Sequence, residues 1–288
     1  MPRLLKSLGA RVVADREVLM ITGRPGTRKS SSILDLAKTY PEVNVVCIDP
    51  DAGIPKLVTH QYGGWEALPN LVYFPVTDWS QVVEAHGAVR NELSPGDWYC
   101  FDMVGNLWKM AYENYIAEML GTTPAEYMLD LKKRGLSTGF GGLSGDDWQL
   151  IKLQYYSVVQ TALKRMPANV LVTAAMDKVA MKQEKATGNW VPVYPGQEAH
   201  WIRIGYSPIA EKTLESEVDT ILHLTSDTRT TGRGQTAITW HMQTVGKDRG
   251  RTPVDADFTN LWVDYCLATG RDPSTSPGYS SGVVGGGG

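Results

Sequence analysis

A chain of 288 residues, 42% hydrophobic and 20% charged, has the composition of a folded globular protein and excludes an intrinsically disordered one. It is long enough for one large α/β domain or two small ones. A formal net charge of −3 excludes a surface coated in positive charge, yet it leaves room for a local basic groove, because a few Lys and Arg suffice for phosphate contacts. No apolar run approaches the roughly 18 residues of a membrane-spanning helix, and residues 1–9 lack the apolar centre of a secretion signal. Three cysteines make no disulfide framework, and Cys47 and Cys100 fall in apolar runs that suit buried thiols. The expected setting is a reducing cytoplasm with no membrane partner. The five histidines have no zinc-ligand spacing.

Residues 17–22 (EVLMIT) read as a buried strand, residues 23–29 as a loop, and residues 30–40 as a helix with Ile33, Leu36, Ala37 and Tyr40 on one face. Residues 43–48 form a second strand ending in Asp49, Pro50 and Asp51, and residues 71–74 a third. Asp78 can cap the next helix, with Gln81 at the capping-box position, and that helix stops near Ser94-Pro95-Gly96. Residues 98–101 are a strand followed by Asp102. A long helix over about 146–165 leads to a strand at 170–173. Strands at 219–224 and 236–242, joined by a turn-rich link, suit an antiparallel hairpin. Strands separated by helices predict an α/β fold: a mostly parallel twisted sheet flanked by helices, with a C-terminal antiparallel hairpin. Two segments resist the alternation, the glycine-rich and initially basic 132–145 and the long 178–208. Loops of that length usually carry function. Residues 1–272 read as a single domain, and the Pro/Ser/Gly-rich 273–288 as a disordered tail.

Gly23-Arg24-Pro25-Gly26-Thr27-Arg28-Lys29-Ser30 lies between a strand and a helix. The Walker A pattern G-x-x-x-x-G-K-[ST] matches at Gly23, Lys29 and Ser30 and fails at Arg28, where the second glycine belongs. In such a loop backbone N–H groups and a helix N-terminus cradle phosphate. Gly23, Pro25, Gly26, Thr27, Arg28, Lys29, Ser30 and Ser31 are therefore the expected ATP cradle. Lys29 would reach the β- and γ-phosphates, and Ser30 would ligate Mg²⁺. Arg28 adds a Cβ where backbone must approach phosphate, and a cation that partly compensates; the alternative is a phosphate loop that has lost catalysis. Asp102, ending an apolar strand expected beside the P-loop strand, suits the Walker B position and a share in holding Mg²⁺. Its plainer role would be that of a turn residue.

With these motifs the chain resembles the RecA-like P-loop ATPases, and within them the compact single-strand annealing and recombination ATPases of bacteriophages. The resemblance spans most of residues 15–265. It implies that Asp51, just after the second strand, activates the attacking water, although the usual residue is Glu and a simple turn acid is an equal alternative. It implies that Lys247 and Arg249, in Gly246-Lys247-Asp248-Arg249-Gly250, reach across a subunit interface to a neighbour's γ-phosphate, in a homo-oligomeric ring or filament. It places DNA-binding loops at the two irregular segments, and hence single-stranded DNA against Lys132, Lys133, Arg134, Phe140, Lys182, Lys185, Trp190 and Arg203. Tyr194, Trp201 and Tyr206 stand in the second segment as well; rings there either stack on bases or pack the loop onto the core. Two departures stand out. Ala174-Ala175-Met176 follows a strand after which the family carries a polar γ-phosphate sensor, and Met103 replaces a small hydroxyl residue after Asp102. The expected activity is ATP hydrolysis coupled to single-stranded DNA. The alternatives are a non-catalytic nucleotide-gated DNA-binding or scaffold protein, a packaging motor, or a small-molecule kinase.

Overall fold

The computed structural model describes residues 16–136, 142–184, 189–193, 199–230, 236–248 and 253–279, with Lys247 and Asp248 described by backbone alone. The first half alternates as the hydrophobic pattern requires. It runs β1 (Val18–Gly23), α1 (Lys29–Thr39), β2 (Val45–Asp49), α2 (Ile54–Gln61), β3 (Leu71–Pro75), α3 (Trp79–Val89), β4 (Trp98–Phe101) and α4 (Val104–Leu120). Then come α5 (Pro124–Lys133), α6 (Gly145–Arg165), β5 (Asn169–Ala174), β6 (Met176–Lys178), β7 (Met181–Gln183), β8 (Trp190–Pro192), α7 (Ala199–Ile204), β9 (Tyr206–Pro208) and α8 (Leu214–Glu217). The chain closes with β10 (Thr220–Thr230), β11 (Thr236–Asp248), β12 (Asp255–Phe258) and α9 (Leu261–Ala268).

One eight-stranded sheet organises these elements in the order β12-β11-β10-β1-β5-β4-β2-β3. From β3 to β10 every neighbouring pair is parallel, while β11 is antiparallel to both β10 and β12. This is the expected architecture, a mostly parallel sheet flanked by helices with an antiparallel C-terminal hairpin. Strands β1, β2, β4 and β5 are buried along their whole length, because helices cover both faces. One face packs Met20, Tyr99, Phe101 and Val172 against residues of α3, α4 and α6. The other packs Leu19, Ile21, Cys47 and Leu171 against residues of α1, α2 and α9.

Local signals place the helices. The Asp78 carboxylate accepts from the Gln81 N–H at 3.0 Å, while the Gln81 side chain folds back on the Thr77 N–H. Complete capping boxes open α5 (Thr123 with Glu126) and α6 (Ser144 with Asp147), each satisfying backbone donors that the first turn leaves free.

Three expectations need correction. The strand of Asp102 is not beside the P-loop strand, since β5 lies between β1 and β4. Residues 178–208 are not one long loop: β6 pairs β9, β7 pairs β8, and α7 lies between β8 and β9. Nor does order stop at 272. Ser276 is buried, accepts from Trp98 Nε1 at 3.0 Å and donates to the Gly96 carbonyl at 2.6 Å; Asn169 donates to the Pro277 carbonyl at 2.9 Å. Residues 280–288 lie outside the described residues. All three cysteines are free and buried, and no helix among the described residues is long and apolar enough to cross a membrane.

Candidate nucleotide site

The loop between β1 and α1 is built on close backbone approach. A Cβ on Gly23 would sit 2.5 Å from Thr27 Oγ1 and 2.6 Å from the Leu224 carbonyl oxygen, so only glycine fits where β1 ends. Gly26 takes φ 83°. Arg28, directly before α1, takes φ 69° and ψ 21°, the left-handed conformation that glycine adopts without steric cost. The residue that breaks the Walker pattern thus supplies the backbone geometry a glycine would supply. Its guanidinium is held by the cleft wall instead of facing solvent: it donates to the Thr259 carbonyl at 2.6 Å, pairs with Asp35 at 3.4 Å, and lies 4.8 Å from the Trp240 ring centroid. Asp35 also accepts from the Tyr62 hydroxyl at 2.6 Å. Burial raises the Asp35 carboxyl above the usual carboxylate range, with Tyr62 and Arg28 opposing.

Lys29 opens α1 and is buried. Its ammonium donates to the carbonyls of Gly23 at 2.8 Å and Arg24 at 3.1 Å. Desolvation lowers its pKa, while Asp102 and Asp51 hold the charge in place. Asp102, at the end of β4 and 1% exposed, accepts a hydrogen bond from the Thr173 hydroxyl and lies close enough to the Ser30 hydroxyl for it to favour the ionised carboxylate. Burial pushes its carboxyl up to about 6; the two hydroxyls oppose this, and Asp49 and Asp51 add to it. The side chain therefore bridges from β4, past β5, to the first turn of α1, even though its strand is two places from β1.

Asp49 and Asp51 divide the work at the end of β2. Asp49 is fully buried, and its oxygens accept from the N–H groups of Asp51 (2.8 Å) and Ile54 (3.2 Å) and from the Tyr73 hydroxyl (3.2 Å). It shapes the turn. Asp51 is exposed at the rim, where the Asn106 amide donates to it, and partial desolvation together with Asp49 raises its pKa.

This donor set fits Mg²⁺. Among the described residues no group of three or more His, Cys, Asp or Glu could hold a metal. A hydroxyl paired with one buried carboxylate beside a phosphate loop is nevertheless how Mg²⁺ is commonly held, with waters and phosphate oxygens filling its shell. A cleft of 1160 Å³ extends from the P-loop along α1 to Lys38 and Thr39, with Tyr62, Trp240 and Asn260 also on its wall. Met103 and Ala175, the two departures from the family pattern, line it too.

The other expected residues fall into three groups. Lys132 and Lys133 are exposed on the last turn of α5 rather than in a loop, and Arg134, just beyond it, pairs with Asp130 at 2.7 Å. Lys182 on β7 and Trp190 on β8 are exposed on one ribbon; Gln183 faces Trp190, so Lys182 and Trp190 point to opposite ribbon faces. Arg203 is exposed on α7. Phe140, Lys185 and Arg249 lie outside the described residues, and Lys247 is placed only by its backbone in β11. Of the remaining rings, Trp201 is core: it is 1% exposed and donates to Glu215 at 2.8 Å. Tyr206 lies under the Arg24 guanidinium at 5.3 Å.

Sequence reasoning missed Thr173, Asn106, Tyr62 and Trp240. Thr173 carried a faint signal as the polar residue closing an apolar strand; the others come from distant segments with no local pattern.

No protein-family model matches the chain, and no curated relative matches it. Among solved structures, the crystal structure of the RadB recombinase aligns over 89% of this chain and 92% of that one, at 14% identity and a TM-score of 0.47.

Proposed function

We propose that this chain is a RecA-like P-loop ATPase that binds Mg-ATP and acts on single-stranded DNA in recombination or replication of a phage type. The observation that carries the reading is the convergence of Lys29, Ser30 and Asp102 on one phosphate loop, from the first turn of α1 and the end of β4. In this reading the N–H groups of the loop and of the first turn of α1 receive the phosphates. Lys29 exchanges its two carbonyl partners for β- and γ-phosphate oxygens. Ser30 and Asp102 hold Mg²⁺, which would neutralise phosphate charge as it develops. Asp51, steadied by Asn106, orients the attacking water. Lys247 and Arg249 complete a neighbour's site in a ring or filament, and Lys132, Lys133, Arg134, Phe140, Lys182, Lys185, Trp190 and Arg203 serve the DNA.

A second reading, a nucleotide-gated DNA-binding protein without turnover, is favoured by one feature: Ala174, which closes β5, and Ala175, which follows it, offer no polar side chain. The deciding experiment measures ATP turnover and ATP affinity with and without single-stranded DNA, in wild type and Lys29→Ala. Turnover stimulated by DNA and lost with Lys29→Ala is expected. Tight ATP binding without turnover under either condition favours the second reading, and unchanged ATP affinity in Lys29→Ala sinks both.

A further inference from the structure

Thr173 stands in a row of side chains that crosses the sheet at one level. Phe101 of β4 is in register with Val172 of β5 and with Ile48 of β2, so Asp102, Thr173 and Asp49, each one residue further on, come side by side. The ladder holds to this level, because the Asp102 N–H donates to the Ile48 carbonyl at 3.0 Å. Thr173 is itself in register with Ile21 of β1. Side chains alternate along a strand. Ile21, Cys47, Cys100 and Leu171 pack on the face covered by α1, α2 and α9, and the same alternation sends Thr173, Asp102 and Asp49 to that face. The order across the row is therefore Ile21, Thr173, Asp102, Asp49, with neighbouring strands about 4.8 Å apart. All four residues are buried. Asp102 thus has a hydroxyl on its β1 side and a second carboxylate on its β2 side.

The two flanks act on Asp102 in opposite ways. Asp49 repels it, and its own oxygens are engaged with the N–H groups of Asp51 and Ile54 and with the Tyr73 hydroxyl. Thr173 donates its one hydroxyl hydrogen to Asp102. The Thr173 side chain is fully buried and has no water to turn to, so breaking that bond would leave a donor unsatisfied. The bond therefore restrains the rotation of the carboxylate. It draws the group away from Asp49 and toward the β1 side, where Ser30 stands in the first turn of α1. Ala174, which closes β5, packs on the opposite face, so Thr173 is the last side chain that β5 contributes to this one. We infer that Thr173 is a positioning residue for Mg²⁺, acting through Asp102, a role that rests on the proposed Mg-ATP site: its hydroxyl aims the Asp102 carboxylate at Ser30, so that the two can hold one cation between them. Strand β5, inserted between β1 and β4, is then part of the site and not a spacer within it.

The test measures ATP affinity in Mg²⁺ and in EDTA, so that the metal-dependent gain is read apart from ATP binding itself. Thr173→Val keeps the shape of the side chain and removes the hydroxyl. It should lower the Mg²⁺-dependent gain by about tenfold, as loss of a partner behind a metal ligand does, and leave the affinity in EDTA unchanged. Thr173→Ser restores the hydroxyl and should recover most of the gain, whereas Thr173→Ala should not. The serine and alanine variants differ from each other by the hydroxyl alone, so they carry the test should the valine variant fail to fold. With Mn²⁺ in place of Mg²⁺ and ADP bound, the EPR signal of protein-held Mn²⁺ should follow the same order: wild type and serine above alanine and valine. An equal loss of ATP affinity in Mg²⁺ and EDTA would mean that Thr173 only packs the sheet, and would overturn the inference. A valine variant with the full wild-type gain would overturn it too and leave the Mg-ATP site standing. A wild type that binds ATP equally well in Mg²⁺ and EDTA would remove the site and the inference together.

Discussion

Replacing Arg28 by glycine restores the Walker consensus, yet the contacts of the side chain predict a loss of stability. Arg28→Gly relieves a left-handed backbone that costs an ordinary residue about 1–2 kcal/mol. Against this, the variant gives up the Asp35 pair and the Thr259 carbonyl bond, together about 1–2 kcal/mol once the 21% of the side chain that stays wet is allowed for. It gives up the cation–π contact with Trp240, about 0.5–1 kcal/mol. Glycine also adds about 0.5–1 kcal/mol of unfolded-state entropy. The balance is a net destabilisation of about 1–2 kcal/mol, which in a domain of this size lowers Tm by a few degrees.

Arg28→Ala separates the terms. It loses the same contacts but keeps the left-handed strain, so it should be about 1 kcal/mol less stable than Arg28→Gly. Urea melts of the three proteins measure both differences. Because the guanidinium is tied to the cleft wall, ATP affinity in Arg28→Gly should change by less than about threefold, ~0.7 kcal/mol. A glycine variant more stable than wild type, an alanine variant at least as stable as the glycine one, or a large loss of ATP affinity would each refute the assignment of Arg28 to the wall.

The remaining predictions concern the two carboxylates and the DNA. Asp102 has its pKa raised in the folded state from 3.8 to about 6, so the unfolded chain releases this proton first and stability falls as pH rises through that window. The penalty is on the order of 3 kcal/mol at neutral pH, so nucleotide-free Asp102→Asn should be more stable than wild type near neutrality, the advantage vanishing below about pH 4. The same variant should lose the Mg²⁺-dependent part of ATP binding, seen by titration with and without the metal. Asp51→Ala should keep ATP affinity and lose turnover, because Asp51 stands at the rim and not on the phosphate loop; equal turnover would return it to the role of a turn acid. Trp190→Ala should weaken single-stranded DNA binding by about 1–3 kcal/mol through lost base stacking, and Lys182→Ala by less, since the two point to opposite ribbon faces. Fluorescence anisotropy giving equal losses for both would sink that ranking.

The sheet and most helices were legible because burial on both faces writes continuous apolar runs, as in VLMITG of β1 and NVLVTA of β5. Strand order was not legible. Nothing in the WYCF run of β4 says that β5 inserts between it and β1, because parallel neighbours are chosen by crossovers and not by local pattern. The ribbons of 176–208 hid for another reason: their strands are three residues long, too short for a period-2 signal. The carboxylates at strand ends were visible, but their partners Thr173 and Asn106 lie far from them in sequence.

Arg28 shows where motif reading and physical reading diverge. A pattern asks whether a residue is glycine, whereas the phosphate loop asks for a backbone at positive φ and a side chain kept out of the cradle. Arg28 meets the first condition at φ 69° and the second through Asp35, Thr259 and Trp240. Those three belong to α1, the α9 approach and β11, so the substitution ties the loop to the C-terminal strands, a link glycine could not make. Variants of Trp240 should therefore loosen the P-loop without touching it. In Trp240→Ala, hydrogen exchange at the amides of Thr27 and Lys29 should quicken, and it should quicken less when Arg28→Gly is already present, because the tether through the indole is then absent in both. Additive effects in the double variant would mean that Trp240 acts on the loop by another route.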